Sequence, residues 1–186
     1  MEETEKKLTR CFIALELSRE AIIEIEEVQN IIRKKGFFYG KFTEGENLHL
    51  TLKFLGEIGA DKVEEVKKRL EKIKFTSFEV SLAELGTFIN RYNSILWIKL
   101  NGKGIWDLQK EIDGVFEGVF VKEERFMSHI TLARMKKITD KKDLLDYIKN
   151  LKQRKIKFVV KDFCFKKSEL KPSGPVYTDI TRYNFE

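Results

Sequence analysis

The sequence predicts an α+β fold in two pseudo-symmetric halves about one central cleft. Three observations carry this. The order strand, helix, His-bearing strand, helix, strand occurs twice along the chain. The only two histidines, His49 and His129, each open a His-x-Thr-Leu string, and they stand 80 positions apart. With 42% hydrophobic residues among 186, the chain can bury the centre of one domain or of two small lobes that share a core. Side chains at i and i+2 of a strand leave the same face, so each copy presents one imidazole and one hydroxyl together. Chance placement of both histidines in that string has odds on the order of 10⁻⁵.

Arg10 to Leu15 is apolar and β-rich. Ser18 then offers an N-cap to a helix on which Ala21, Ile22, Ile25, Val28, Ile31 and Ile32 repeat at helical spacing until Lys35-Gly36 ends it. Phe37 to Phe42 reads as a short strand, and Glu44 to Asn47 as a turn into the first His strand. Asp61 is expected to cap a second helix carrying Val63, Val66, Leu70 and Ile73 on one side. Strands follow at Phe75 to Leu82 and at Glu84 to Ile89, and Asn90-Arg91-Tyr92-Asn93-Ser94 is the most polar central break.

Beyond the break the order begins again with a strand at Ile95 to Leu100. Asn101-Gly102-Lys103-Gly104 is too short for a nucleotide-binding loop and reads as a strand-to-helix turn. The next helix turns Ile105, Leu108, Ile112, Val115, Phe116 and Val119 inward, and the second His strand follows. A helix with Leu144, Leu145, Ile148 and Leu151 on its apolar stripe and a strand from Ile156 to Phe165 close this half. Both prolines fall in Lys171 to Pro175, a tight turn into a last strand from Val176 to Arg182. At the offset of 80, Thr51 matches Thr131, Leu52 Leu132, Ile58 Ile138, Phe78 Phe158 and Val80 Val160. The expectation is a single bilobal domain, 1–186, with an internal repeat of approximately 10–89 and 95–165.

A net charge of +6 and a sequence pI near 9.1 favour an anionic partner, nucleic acid or phosphate. Cys11 and Cys164 sit in apolar strand-like runs and read as buried thiols. Two Cys and two His spread this widely match no zinc spacing, so neither a metal nor another cofactor is expected. Met1 to Lys7 is charged where a signal peptide needs an apolar core, and no apolar run approaches the roughly 20 residues that span a bilayer. The expectation is a soluble cytoplasmic protein.

Two His-Thr strands related by an approximate two-fold would set two imidazoles on opposite walls of one cleft. Histidine titrates near neutrality, so one ring can take a proton from water while the other gives one to a leaving oxygen. The hydroxyls of Thr51 and Thr131 can donate to the non-bridging oxygens of a phosphodiester. Arg134, five residues after His129, lies on the opposite strand parity but is long enough to turn into the cleft. Lys53 has the right parity and is read as facing solvent.

These residues resemble the 2H phosphoesterases, and within them the RNA 2′,3′-cyclic phosphodiesterases also called 2′-5′ RNA ligases. The resemblance runs through Arg10-Cys-Phe-Ile-Ala-Leu15, Glu46-Asn-Leu-His-Leu-Thr-Leu-Lys-Phe-Leu-Gly56, His129-Ile-Thr-Leu-Ala-Arg134 and Ser168 to Tyr177. It implies two antiparallel-sheet lobes with helices on their outer faces and both chain ends in one lobe, so that sequence halves need not coincide with lobes. It also implies metal-independent hydrolysis of a terminal 2′,3′-cyclic phosphate to a 2′-phosphate. On the matching positions, His49 would protonate the departing O3′, His129 would activate water, and Thr51, Thr131 and Arg134 would hold the phosphate. The implied partner is RNA or an oligonucleotide with a cyclic phosphate end, taken by a monomer without a membrane. Joining of a cyclic end to a 5′-hydroxyl, or RNA end binding without turnover, are the alternatives.

Overall fold

The computed structural model describes residues 8–91, 94–172 and 174–186. In chain order the elements are β1 (Thr9–Glu16), α1 (Arg19–Lys35), β2 (Phe38–Phe42), a 3-10 turn (Gly45–Asn47), β3 (His49–Ile58), α2 (Ala60–Leu70), β4 (Phe78–Phe88) and β5 (Ser94–Asn101). Then come α3 (Lys103–Val115), β6 (His129–Ile138), α4 (Lys141–Asn150), β7 (Lys157–Val160), β8 (Asp162–Lys171) and β9 (Gly174–Asn184). Helix α1 starts where Ser18 Oγ accepts the Ala21 N–H at 3.2 Å and stops at Gly36, whose φ of 68° suits glycine. Arg33, Lys34 and Lys35 complement the negative end of its dipole, and Ala21, Ile25, Val28 and Ile32 form the buried stripe.

Three expectations need correction. Helix α2 begins one residue before Asp61, with Gly59 at the cap and no side-chain bond there, so Asp61 acts only as a first-turn charge. The two strands expected between Phe75 and Ile89 are one, Phe78–Phe88, because a register irregularity between Leu82 and Leu85 lets a single strand turn without breaking. The strand expected from Ile156 to Phe165 is two, β7 and β8, which pair with different neighbours. Part of the polar break, Tyr92 and Asn93, and Ser173 of the proline turn lie outside the described residues.

The strands order as β9-β8-β1-β3-β6-β5-β4-β7, with β2 added to β6, and the pairings are antiparallel. The sheet folds into two lobes at the β3–β6 junction, where Leu50 pairs with Ile130. One lobe holds β9, β8, β1 and β3, the first and last strands among them, and the other holds β2, β6, β5, β4 and β7. Strand β4 therefore lies in the lobe opposite to the β3 that precedes it. The register has two-fold form. Leu50 meets its own counterpart at offset 80, and β4 meets β7 through Phe78↔Val160 and Val80↔Phe158, which exchange under the same offset. A two-fold axis requires such reciprocal pairs.

Helices cover the sheet faces turned from the cleft. Helix α1 reaches the second lobe, where the buried Gln29 donates to the Leu132 carbonyl at 2.9 Å, and α4 lies against β4. Helix α3 packs behind β3, and Arg69 on α2 donates to the Val115 carbonyl at 2.8 Å. Between helices and sheet lie fully buried Ile13, Leu15, Leu50, Leu96, Ile98, Ile112, Ile130 and Leu132. Cys11 and Cys164 are buried, as expected, and burial pushes their thiols up to about 11 and about 12. Among the described residues no helix is long and apolar enough to cross a membrane.

Candidate active site

Strands β3 and β6 deliver the two histidines in the same way. The Asn47 carbonyl accepts from His49 Nδ1 at 2.8 Å, and the Met127 carbonyl accepts from His129 Nδ1 at 2.9 Å. With Nδ1 donating, each neutral ring keeps its Nε2 lone pair for the cleft. His49 Nε2 also lies 3.1 Å from Thr51 Oγ1. Counting one residue out from the Leu50↔Ile130 pair sets His49 beside Thr131 and Thr51 beside His129. The histidines are then diagonal neighbours, about 7–8 Å apart at the backbone.

A bulge in each strand completes the arrangement. Opposite β1, Lys53 pairs with Ile13 and Thr51 with Ala14, leaving Leu52 unmatched; opposite β5, Ala133 and Thr131 flank an unmatched Leu132. One extra residue resets the alternation of faces. Leu52 and Lys53 are consequently both buried, as are Leu132 and Ala133, and the next residues, Phe54 and Arg134, emerge on the face of His and Thr. Phe54 stands opposite Phe12, whose ring packs on His49, and the Arg134 guanidinium acts on the Tyr177 phenol beside His49. Arg134 thus reaches the face of His129 and Thr131 through a bulge rather than through its length.

The expectation for Lys53 is overturned. Its side chain is 4% exposed, behind the sheet, ion-paired with Asp113 and donating to the Val121 carbonyl at 2.8 Å. Asp113 also accepts from Gln109 Nε2 at 2.7 Å and from the Glu123 N–H. The bulge that brings Phe54 to the cleft sends Lys53 the other way.

The walls differ electrostatically. On one, His49 lies between Phe12 at 5.0 Å and Tyr177 at 5.1 Å. Burial there pushes its pKa down to about 4; the bond to the Asn47 carbonyl opposes this and the Lys166 charge adds to it. The His129 charge contributes in the same direction, as expected of two rings sharing one cleft. Lys166, 8% exposed, bonds Glu16 at 2.7 Å and Asp179 at 2.5 Å, and Glu16 is the register partner of His49. Burial raises the Glu16 carboxyl, but the bonds from Lys166 and Arg182 outweigh it and hold the group below its ordinary value.

Glu16, Cys164 and Asp179 bring ligand atoms within 4.8 Å of one another, the spacing of a metal group. Lys166 and Arg182 already satisfy both carboxylates and the thiol is pushed up to about 12, so this donor set fits an ion network better than a metal centre. Sequence reasoning left out Phe12, Phe54, Tyr177 and Lys166 as site residues. Phe12 and Tyr177 lie in stretches that carry the family resemblance, but an aromatic in a strand gives no sign of which face is the cleft.

The profile of the family described as LigT like Phosphoesterase matches residues 15–97 and 101–177. The RNA 2′,3′-cyclic phosphodiesterase of Methanocaldococcus jannaschii is 33% identical over 177 residues, covering 94% of this chain and 99% of that protein. That of Methanothermobacter thermautotrophicus is 31% identical, covering 92% and 96%. Among solved structures, a Thermus thermophilus protein is 26% identical with a TM-score of 0.77, covering 95% of this chain and 97% of that one. Escherichia coli LigT in its apo form superposes with a TM-score of 0.79 at 21% identity over 96% and 98%, a likeness of fold.

Proposed function

The chain belongs to the LigT-like phosphoesterases, and from that premise we propose that it hydrolyses the terminal 2′,3′-cyclic phosphate of RNA to a 2′-phosphate. The observation that carries the reading is the pair of imidazoles on the adjacent strands β3 and β6, each fixed through Nδ1 by the carbonyl two residues back, with His49 Nε2 beside the Thr51 hydroxyl. His129 takes a proton from water as its oxygen bonds to phosphorus; the P–O3′ bond breaks, and His49 gives its proton to O3′. Thr51 and Thr131 donate to the non-bridging oxygens and Arg134 offsets their charge. The family resemblance supplies the order of acid and base.

His49 is neutral near pH 7 in the free protein, given its pKa of about 4. An anionic phosphate beside the ring opposes the effect of burial, so the acid forms as the substrate binds. Phe54, 65% exposed on the cleft face, offers a flat surface to the terminal base. The working unit is the whole bilobal chain, 1–186, acting as a cytoplasmic monomer, and the reciprocal register pairs support its descent from a doubled segment of approximately 10–89 and 95–165.

The test is turnover of an RNA ending in a 2′,3′-cyclic phosphate. His49→Ala and His129→Ala each lower the rate by about 10²-fold or more, the scale of general acid–base catalysis, while EDTA leaves the native rate in place. Full activity in either variant overturns the reading. RNA binding that survives both substitutions, with no hydrolysis by the native protein, assigns end binding instead.

A further inference from the structure

The positive charge of the chain is not spread evenly. Residues 33–42 and 133–137 hold seven of its 36 Lys and Arg and none of its 30 Asp and Glu, which is more than the whole net charge of +6. Pairing of β2 with β6 lays these two stretches side by side. Their register runs Lys41↔Arg134, Gly40↔Met135 and Tyr39↔Lys137, with Lys136 unmatched at a bulge. Cross-strand partners share a face, so Lys41 stands with Arg134 on the cleft face, and Tyr39, two residues away, stands there too. Met135 is buried on the other face, while Lys136 and Lys137 are exposed.

Strand β2 is fixed in place. A Cβ at Gly40 would come within 2.2 Å of the Arg134 carbonyl oxygen, so glycine is what allows the two strands to approach. The Thr43 N–H donates to the Leu132 carbonyl at 2.8 Å at one end, and Thr139 Oγ1 donates to the Phe37 carbonyl at 2.7 Å at the other. Behind the strand, Phe38 and Phe42 pack at 5.3 Å, and the Arg33 guanidinium lies 4.5 Å from the centre of the Phe42 ring. The hollow between β2 and the end of α1 measures only about 220 Å³, too little to enclose a whole ligand. Tyr39 is open rather than pocketed, at 68% exposure; it and Phe54 are the most exposed aromatic residues among those described, and both stand on the cleft face.

Complementing the helix dipole explains Arg33, Lys34 and Lys35 at the end of α1 but not Lys41, Lys136 and Lys137, which lie on strands. Lys41 Nζ pairs with Glu44 at 3.2 Å, an exposed contact of little worth. Cations in a line with an aromatic face among them suit a single nucleic-acid strand, whose phosphates and bases they meet in turn. The line begins at Arg134, beside the phosphate site. We propose that the β2–β6 surface is the track of the RNA strand upstream of the cyclic phosphate, with Lys41, Lys136 and Lys137 on its phosphates and one base stacked on Tyr39. The inference rests on the phosphodiesterase reading for the placement of the strand's end. It makes the substrate a polynucleotide rather than a nucleoside 2′,3′-cyclic phosphate. Recognition along the track is independent of sequence, because stacking and phosphate contacts read no base edges.

The experiment compares kcat/KM for a nucleoside 2′,3′-cyclic phosphate with kcat/KM for a single-stranded RNA of about eight nucleotides carrying the same cyclic end. Their ratio is internal to the folded enzyme, so partial misfolding of a variant does not alter it. In the native protein the RNA is the better substrate. Tyr39→Ala lowers the ratio by about tenfold, the scale of one lost base stack, through KM rather than kcat, and Tyr39→Trp restores it. Lys136→Gln/Lys137→Gln also lowers it, and the dependence of log KM for the RNA on log salt becomes shallower by about 0.7 for each cation removed. The proposal is overturned if the native protein does not distinguish the two substrates, or if these variants leave the ratio unchanged. Hydrolysis of neither substrate by the native protein marks failure of the phosphodiesterase reading, and binding of a 2′-phosphate-ended RNA of the same length then decides the track. Weaker binding by Tyr39→Ala supports it; unchanged binding overturns it.

Discussion

At the scale of single residues, His49 makes the sharpest demand. Its ring sits against Phe12 and Tyr177 near the buried Lys166 ammonium, and its pKa falls from 6.5 to about 4. Between those values the unfolded chain binds the proton and the folded one does not, so stability falls as pH drops from about 6.5 to about 4. The loss is about 3 kcal/mol by the lower end. Urea midpoints across this range should show the slope, and His49→Gln, which has no such proton to bind, should flatten it. An unchanged slope in that variant would mean that another group titrates there. Both histidines and both threonines were legible in the sequence because the two strings repeat in identical spacing. The pKa of His49 was not, since Phe12, Tyr177 and Lys166 come to it from strands distant in the chain.

At the scale of elements, the two bulges decide what faces the cleft. Alternation counted along the sequence puts Lys53 in the cleft and Arg134 outside it; one extra residue in each strand reverses both. Ala133, a second apolar residue after Leu132, is the faint signal of this, but Lys53 conceals it in the first copy. Each bulge is held from behind. At Leu132 the carbonyl accepts from Gln29 Nε2 at 2.9 Å and from the Thr43 N–H at 2.8 Å. Gln29→Leu removes a buried donor of similar size, so unfolding free energy should fall by about 1–3 kcal/mol and kcat/KM should fall as Arg134 shifts. Behind the first bulge, Lys53→Met leaves the Asp113 carboxylate without its cation and should cost about 3–5 kcal/mol in denaturant unfolding. The double variant Lys53→Met/Asp113→Leu should recover most of that; a double variant as unstable as the single would show that the ion pair is not the cause.

At the scale of the whole molecule, the proposed function depends on two lobes meeting through Leu50↔Ile130. The repeated order of elements and the offset of 80 were legible, and they place the histidine strands together. That β4 crosses to the lobe of β5 was not, because periodicity tells a strand from a helix but does not name its partner. The crossing matters: it puts Phe88 beside His129, while β8 crosses in the other direction to put Lys166 near His49. The pseudo-symmetric frame is thereby furnished with unequal walls, one enclosed and one open. The most direct test is a crystal structure of the protein with a 2′-phosphorylated nucleotide. The account predicts His49 Nε2 and His129 Nε2 on opposite sides of one phosphate, each within about 3 Å of an oxygen, with Arg134 on the same anion. A phosphate held by one ring alone, with the other Nε2 turned away from it, would contradict the account.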